Sequence, residues 1–472
     1  MAGDQAVGAP GRLIRGRDQP RGQPNVVFIL ADDLGWSDLG CYGSSAIRTP
    51  NLDRLAAEGL RFTHGYACSP WCSTTRIGLY TGRFAGRLPA GLEEPLVTHK
   101  EGNGIPPGHP SLPSLLAAAG YETAMFGKWH CGWLPWYSPL RLGFQTFFGN
   151  LDGAIDYFTH LDTRGEPDLY EGETPVSQAG YYTSLLSDRA AEFVSADRDR
   201  PFYLQLNYTA PHWPWEGPAD RDTGELIRTR FARGWSSPLM HLDGGSLAKY
   251  GELVEAMDEG IGQVLTALER AGRADNTIVV FTSDNGGERW SKTWPFVGEK
   301  GDLTEGGIRV PLILRWPAAV AARQVTDRPV DTLDLTATLI DAAGTAPAAD
   351  CPLDGVSLLS WLAEGADFPV RDLFWRTSNQ GALRRGSFKY LHDRRDRAVL
   401  GNWPRRFGDY HLLFDLTMDG RERADISRDH PAVVKELRAA WERIDADLVP
   451  YPPEHPGLPQ PAPPGTTVSS PD

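Results

Sequence analysis

Short, strongly apolar runs alternate along the chain with longer segments whose apolar residues recur at helical spacing. The run NVVFIL at residues 25–30 is typical of a buried strand. Similar runs occupy residues 122–126, 202–207 and 277–282, and helical patterns occupy residues 111–119, about 184–195 and about 247–271. Strands that alternate with helices in this way build a parallel sheet with helices on its faces. The pattern therefore predicts an α/β fold with a large, mostly parallel sheet sandwiched by helices.

The pattern changes towards the C-terminus, where short strand-like runs fill residues 373–416 and a helical pattern follows at about 431–447. These elements predict a smaller α+β domain with an antiparallel sheet. The ends of the chain are rich in Arg, Gly and Pro and carry no long apolar stretch. The expected order is a disordered leader, a catalytic α/β domain, the α+β domain and a Pro-rich tail: residues 1–24, 25–360, 361–449 and 450–472.

Composition and charge exclude several classes of partner. The chain has 47 Lys and Arg against 61 Asp and Glu, a formal net charge of −14, so it lacks the basic surface that nucleic acids require. No apolar run approaches the roughly 20 residues of a membrane helix. Its five cysteines are irregularly spaced, which fits free thiols in a reducing compartment rather than a disulfide framework. We expect a cytoplasmic protein with no nucleic-acid or membrane partner, and the oligomeric state stays open.

Polar residues follow the four predicted strands at the point where each strand ends. Asp32 and Asp33 follow the first strand, and His130, His212 and Asp284 follow the other three in turn. Open α/β sheets place their sites at the carboxyl ends of their strands. Four separate segments therefore indicate one functional edge of the sheet.

Hard oxygen ligands lie among these residues, namely Asp32, Asp33, Asp284 and Asn285. Carboxylate and amide oxygens suit Ca²⁺ or Mg²⁺ far better than zinc. The alternative is that Asp-Asp and Asp-Asn-Gly are turn residues that cap helices, which is favoured for either pair alone. Because both pairs follow buried strands, we predict a divalent metal site.

A second group of residues offers a nucleophile and positive charge. Cys72 stands four residues before Arg76, and a helix that starts near this segment would aim its positive N-terminus at a bound anion. Lys128 and His130 share the segment GKWH, and Lys300 lies in a glycine-rich loop. Each residue has an ordinary alternative, since free cysteines are usually small buried hydrophobes, lone histidines are usually structural and loop lysines are usually solvated.

Read in chain order, seven motifs resemble the sulfatase family of the alkaline-phosphatase superfamily. They are NVVFILADDLGW, TPNLDRLAAEGLRFTHGYA, CSTTRIGLYTGR, GKWH, APH, SDNGG and GEKGDLTEGGIRVP. The later segments LDLTATLIDAAG, LDGVSLL, ALRRGSFKYL and LLFDL are also similar, so the resemblance spans roughly residues 25–445. The segment GNLDGAIDYFTH at residues 149–160 further resembles the arylsulfatase and glycosaminoglycan-sulfatase branch.

The resemblance implies that Cys72 is the precursor of the nucleophile. A formylglycine-generating enzyme would oxidise it to formylglycine, whose hydrated gem-diol attacks sulfur. Residue 72 would also complete the shell of a Ca²⁺ ion, with Mg²⁺ as the alternative metal. The other ligands of this shell match Asp32, Asp33, Asp284 and Asn285.

The same resemblance implies roles for the surrounding side chains. Arg76 matches the arginine that holds the gem-diol, and Lys128 and Lys300 match lysines that bind the sulfate oxygens. His130 matches the histidine that assists collapse of the sulfated intermediate, and His212 the one that faces the leaving group. In this scheme His212 or Lys300 protonates the departing oxygen, and the second hydroxyl of the diol expels sulfate with His130 as base.

The sequence departs from the family pattern beside the modified cysteine. The usual continuation is C-x-P-S-R or C-x-A-S-R, whereas Thr74 and Thr75 stand here in place of proline or alanine and serine. The converting enzyme reads this segment, so the extent of conversion becomes a point to test. Cys68 is excluded as the modified residue because Cys72, and not arginine, stands four residues after it.

We therefore expect a sulfatase that hydrolyses a sulfated sugar or small aryl sulfate to an alcohol and inorganic sulfate. The alternatives are a phosphodiesterase or phosphonate monoesterase of the same superfamily, and a pseudoenzyme whose unconverted Cys72 leaves a module that only binds sulfate esters. Lys128, His130, His212 and Lys300 together favour sulfate. Aromatic side chains of the nearby loops could stack on a substrate ring, and they are Trp133, Trp136, Tyr137, Trp213, Trp215, Trp290 and Trp294.

Overall fold

The structure is a computed structural model that describes residues 22–394 and 409–452. Most of the predicted leader and most of the predicted Pro-rich tail lie outside these residues. Within the two described ranges, no helix is both long and apolar enough to cross a membrane.

The chain folds as two compact units that divide between Arg371 and Asp372. The sequence pattern places this division earlier, between residues 360 and 361. The first unit extends further because Leu362 is buried in its core and Phe368 packs against the same core.

The first unit is built on one large mixed sheet. The strands of this unit are β1 (Asn25–Ala31), β2 (Leu60–Phe62), β3 (Gly65–Tyr66), β4 (Glu122–Gly127), β5 (Thr146–Gly149), β6 (Tyr170–Glu171), β7 (Thr174–Pro175), β8 (Phe202–Asn207), β9 (Thr277–Ser283), β10 (Leu312–Arg315), β11 (Gln324–Thr326) and β12 (Val330–Asp331). Strands β3 and β12 pair with each other outside the large sheet. The sheet order is β11-β2-β10-β9-β1-β8-β4-β5-β6-β7, and the neighbours β9-β1-β8-β4-β5 at its centre run parallel. The predicted α/β class with a mostly parallel sheet is confirmed.

Helices cover both faces of this sheet because its strands are apolar on both sides. The helices of this unit are α1 (Pro50–Glu58), α2 (Cys72–Thr81), α3 (Leu112–Ala118), α4 (Tyr182–Ser195), α5 (Arg221–Ala232), α6 (Leu247–Arg270), α7 (Glu305–Ile308) and α8 (Thr332–Ala342). Along β1, Val27 and Ile29 belong to a core with residues of α1, α4 and α6, whereas Val26 and Phe28 belong to a core with residues of α2, α3 and α8. Continuous apolar runs are what a parallel sheet buried on both faces requires.

Three of these helices begin after a side chain that caps the first turn. The Ser111 side chain accepts a hydrogen bond from an N–H of α3, and the Ser246 side chain does the same for α6. The Asp331 carboxylate accepts two such bonds from α8. These caps satisfy N–H groups that have no partner within the helix.

The second unit is a small antiparallel sheet with one helix against it. Its elements are β13 (Leu373–Arg376), β14 (Gln380–Arg385), β15 (Phe388–Asp393), β16 (Tyr410–Asp415) and α9 (Pro431–Asp445), and the strands are ordered as in the chain. The indole N–H of Trp441 on α9 donates to the carbonyl of Trp375 at 3.0 Å. The predicted C-terminal antiparallel sheet is confirmed.

Candidate active site

The register of the central strands brings their carboxyl ends to one edge of the sheet. Ala31 of β1 pairs with Ser283 of β9, while Leu30 of β1 and Gly127 of β4 both pair with Asn207 of β8. Side chains that follow these strands are therefore neighbours. They are Asp32, Asp33, Lys128 and Asp284, and all of them are buried.

Helix α2 delivers Cys72 to this edge from the loop that precedes it. The Thr75 hydroxyl donates to the Ser69 carbonyl at 2.9 Å, and the Thr74 hydroxyl donates to the Trp71 carbonyl at 3.0 Å, so the loop is fixed to the first turn. Cys72 is the first residue of the helix, where backbone N–H groups favour an anion. Burial raises the pKa of the Cys72 thiol, so the unmodified side chain is a poor nucleophile at neutral pH.

Arg76 connects α2 to the strand ends. Its Nε and Nη2 donate to Asp284 Oδ2 at 3.0 and 2.8 Å, and its Nη1 donates to the carbonyl of Lys128 at 2.8 Å. A third acidic contact, to Asp32 Oδ1, is longer at 3.9 Å. The guanidinium is fully buried. Its contacts with Asp284 and Asp32 compensate the charge of two buried carboxylates, and its bond to the carbonyl of Lys128 fixes the position of the first turn of α2.

The acidic residues form a cluster with unsatisfied oxygen atoms. Oδ1 of Asp32 and Oδ1 of Asn285 are buried and have no hydrogen-bond partner among the described residues. Burial and the neighbouring Asp32 raise the pKa of Asp284 to about 7, so an added positive charge beside Asp284 would favour its ionised form. Single ligand atoms of Asp32, Cys72 and Asp284 all lie within 4.8 Å of one another. Orphaned oxygens on closely spaced, buried carboxylate and amide groups are what a hard divalent cation would satisfy.

Two lysines flank this cluster. Lys128 Nζ lies 2.5 Å from Asp32 Oδ2, and Lys300 Nζ lies 2.7 Å from Asp33 Oδ2 and 3.5 Å from a carboxylate oxygen of Glu288. Burial alone would lower the pKa of Lys300, but Asp33 and other acidic neighbours raise it well above its usual range. Lys300 is therefore protonated and can bind an anion.

Two histidines complete the site. His130 Nε2 lies 2.8 Å from the carbonyl of Leu96, and His212 Nδ1 lies 2.8 Å from the carbonyl of Trp213. Because a carbonyl only accepts, each of these nitrogens carries the proton of the neutral ring, which leaves His130 Nδ1 and His212 Nε2 as the basic atoms. Burial lowers the pKa of both histidines well below its usual range. The positive charge of a nearby lysine, Lys128 for His130 and Lys300 for His212, lowers it further. His130 Nδ1 is buried without a partner among the described residues.

A cavity of about 340 Å³ joins these groups, with Cys72, His130, His212 and Lys300 in its lining. Apolar and aromatic side chains form much of the rest, and they include Trp71, Leu96, Val97, Trp213 and Met240. Among the aromatic residues expected near the site, Trp213 lines the cavity. Trp133 instead is buried and stacks on the ring of His99, with 3.7 Å between centroids.

Sequence reasoning missed several residues that line this cavity. Asp152 and Glu288 line it, as does Trp71 immediately before Cys72. Asp152 lies inside the GNLDGAIDYFTH segment, and Glu288 follows the SDNGG motif by one residue. Asp152 follows β5, a short strand that the sequence pattern does not predict, so the rule that located the other polar residues does not reach it.

The fold and the site together define a class of enzyme. An α/β sheet whose strand ends gather a buried acidic cluster, two lysines and two histidines beside one cavity has the groups that a hydrolase of anionic esters requires. A family model for sulfatases matches residues 24–345. The chain therefore belongs to the sulfatase family and is a sulfuric ester hydrolase.

Individual relatives cover most of the chain. Arylsulfatase J of Mus musculus is 30% identical over 484 residues, covering 92% of this chain and 78% of its own. N-acetylgalactosamine-6-sulfatase of Rattus norvegicus is 32% identical over 413 residues, covering 81% and 73% respectively. The crystal structure of Ps i-CgsB matches with a TM-score of 0.77 at 28% identity, covering 90% of this chain and 94% of that chain.

Proposed function

We propose that the protein hydrolyses sulfate monoesters of sugars or small aryl alcohols, using a formylglycine made from Cys72 and a divalent metal ion. The observation that carries the proposal is the convergence of Cys72, His130, His212 and Lys300 on one cavity beside a buried acidic cluster. Ca²⁺ is the proposed metal and Mg²⁺ the alternative, because the available ligands are carboxylate and amide oxygens.

A charge count supports the metal. Three buried carboxylates are matched by three cationic side chains. The carboxylates are Asp32, Asp33 and Asp284, and the cations are Arg76, Lys128 and Lys300. These charges cancel, so they offer no net attraction to a sulfate. A divalent cation held by the carboxylates and Asn285 would leave the set positive and free the lysines to bind an anion.

The proposed mechanism divides the work among the residues of the cavity and the adjacent, buried Lys128. When present, the metal supplies Lewis-acid stabilisation of the sulfate charge and the formylglycine supplies a hydrated aldehyde as nucleophile. Lys128 and Lys300 bind sulfate oxygens, which reduces the repulsion that this group presents to a nucleophile. His130 accepts a proton at Nδ1, the ring atom that has no hydrogen-bond partner among the described residues. Lys300 donates a proton to the departing oxygen, with His212 facing the same oxygen.

A saccharide substrate is supported by the relatives. N-acetylgalactosamine-6-sulfatase is named for a sulfated amino sugar, and a structure of Ps i-CgsB is in complex with k-i-k-neocarrahexaose. The cavity of about 340 Å³ is large enough for a single ring and its sulfate. We also propose a reducing, cytoplasmic location, because Cys41, Cys68, Cys72, Cys131 and Cys351 are all unpaired.

Mass analysis of residue 72 tests the proposal directly. The protein is made together with a formylglycine-generating enzyme, and the tryptic peptide of residues 62–76 is measured after thiol alkylation. We expect an aldehyde at Cys72 that reacts with a hydrazide, while Cys68 in the same peptide is alkylated and serves as the internal control. A thiol at both positions would contradict the proposal and support the pseudoenzyme. Faster turnover of an aryl phosphodiester than of an aryl sulfate would support the phosphoesterase instead.

The Thr74-Thr75 pair allows a second test of conversion. Thr74 is the third residue of α2, where a backbone N–H has no intrahelical partner, so proline fits there. A serine at position 75 keeps the hydroxyl that bonds the Ser69 carbonyl. We expect Thr74→Pro with Thr75→Ser to fold normally and to raise the aldehyde fraction at Cys72 when the converting enzyme is limiting. An unchanged fraction would show that the converting enzyme recognises Thr74 and Thr75 as efficiently as it recognises the usual family residues.

A further inference from the structure

The wall of the cavity is acidic close to the groups proposed to hold the sulfate. Asp152, Glu288 and Glu299 line it. Among the described residues of the lining, Lys300 is the only lysine or arginine, and Asp33 already holds its ammonium at 2.7 Å. The wall therefore has no second lysine or arginine for a further anionic group on the substrate.

Asp152 is held as a fixed negative charge. Its Oδ2 accepts hydrogen bonds from the backbone N–H of Thr163, at 3.1 Å, and from the Thr163 hydroxyl, while its Oδ1 lies 3.6 Å from His99 Nε2. The Asp152 N–H donates to Asp168 Oδ2 at 2.8 Å, which fixes the backbone. Burial opposes ionisation, but the contacts with His99 and Thr163 outweigh it and hold the pKa of the Asp152 carboxyl well below its usual range.

The rest of the wall suits an uncharged ring. Trp71 and Trp213 offer flat aromatic faces, and Leu96, Val97 and Met240 add apolar surface. Such surfaces bind the body of a sugar or aryl group without requiring charge. The charged and apolar parts of the wall thus favour the same kind of substrate.

We propose that the cavity selects substrate units in which the scissile sulfate is the only anionic group, and that Asp152 enforces this selection by repelling a second anion. The proposal rests on the proposed sulfatase function and names its substrate class, monosulfated neutral sugars or aryl sulfates rather than disulfated or uronate units. Two like charges about 5 Å apart near a protein surface repel strongly enough to change a rate constant on the order of 100-fold.

Two matched aryl sulfates test the selection in the formylglycine-bearing protein. One is 3-carboxy-4-nitrophenyl sulfate, and the other is its neutral 3-carbamoyl analogue. We expect kcat/KM to be on the order of 100-fold higher for the carbamoyl ester. Asp152→Asn should narrow this ratio at least roughly tenfold. Asp162→Asn, the same change at a buried carboxylate that does not line the cavity, should leave the ratio as in the parent protein.

The outcomes separate this inference from the function on which it rests. A ratio near one in the parent protein, or a ratio that Asp152→Asn does not change, overturns the selection and leaves the sulfatase function standing. No turnover of either ester by converted protein overturns both. If Asp152→Asn fails to fold, Asp152→Ser takes its place, because it also removes the negative charge, and an unchanged ratio in that variant overturns the proposal.

Discussion

Gly153 lies against the imidazole of His130, so the residue at position 153 sets where that ring can lie. A Cβ at this position would stand 2.8 Å from both Cε1 and Nε2 of His130. The ring would have to move, and its contact with the Leu96 carbonyl would be disturbed. We expect Gly153→Ala to lower kcat/KM by roughly 100-fold, since small displacements of a catalytic group can cost that much, with little change in melting temperature.

A matched glycine provides the control for Gly153. On helix α6, a Cβ at Gly251 would meet Ile47 at an ordinary 3.6 Å. Gly251→Ala should therefore keep full activity and stabilise the helix by about 0.5–1 kcal/mol. Equal activity of the two variants in a sulfatase assay would show that the position of His130 does not limit the reaction.

Arg76 is the second residue on which the site depends. Its removal would leave the carboxylates of Asp32 and Asp284 buried without their shared cation. We expect Arg76→Met to lower the free energy of unfolding by about 3–5 kcal/mol in chelator, measured by urea denaturation. Arg228→Met removes an exposed pair with Glu225 and should cost under about 1 kcal/mol. Similar losses for both variants would contradict the compensating role of Arg76.

At the scale of elements, strand β4 owes its close pairing with β8 to a glycine at its end. Gly127 has φ +109°, and a Cβ there would stand 1.8 Å from the carbonyl oxygen of Asn207. Gly120, just before the strand, has φ +95° and no atom within 4 Å of such a Cβ. A side chain at either position would have an unfavourable positive φ, but only at Gly127 would it also collide with neighbouring atoms.

Alanine substitutions at Gly120 and Gly127 separate the cost of an unfavourable φ from the cost of a steric clash. Gly120→Ala should cost about 1–3 kcal/mol, the usual cost of an unfavourable backbone conformation. Gly127→Ala should cost more than about 4 kcal/mol and reduce the yield of folded protein, because the clash is with backbone that cannot move away. Thermal unfolding followed by circular dichroism measures both. Equal costs would show that β4 can separate from β8 without penalty.

The elements that carry the site could be predicted because each has a continuous local signal. Strands β1, β4, β8 and β9 begin where their apolar runs begin and end at most one residue later than predicted. Short strands such as β2 and β10 could not be predicted, since three or four residues carry no period and their pairing is set by distant partners. Helix α5 was missed for a different reason, because only Gly224 and Ile227 among its residues are buried.

The site residues also divide into those with a local sequence signal and those without one. Asp32, Asp33 and Asp284 follow from the rule that polar residues after parallel strands meet at one edge, and the register bears this out. Cys72 and Lys300 carry no such local signal, and only resemblance to a family singled them out. Asp152 was missed because its position depends on long-range contacts with Asp168 and other residues that no local pattern contains.

At the scale of the whole molecule, a net charge of −14 attracts divalent cations to the surface without a specific site. A metal bound at the acidic cluster is distinguished by saturation and by its dependence on particular ligands. Asp32 and Asn285 each present a buried oxygen without a partner in the described part of the chain. Asp354 is a suitable control, since its carboxylate is paired with Arg87 away from the cavity.

Calcium should therefore raise the melting temperature of chelator-treated protein at constant ionic strength. A site that binds the folded state alone contributes about 2.7 kcal/mol when the free ion is 100-fold above its Kd. Differential scanning calorimetry should show a saturable rise of several degrees in the parent and in Asp354→Asn. Asp32→Asn and Asn285→Ala should lose most of it, because each removes a hard oxygen ligand or its charge. A rise of the same size in all four proteins would show that Ca²⁺ acts through the surface charge and not through this site. A larger rise with Mg²⁺ than with Ca²⁺ would identify Mg²⁺ as the metal.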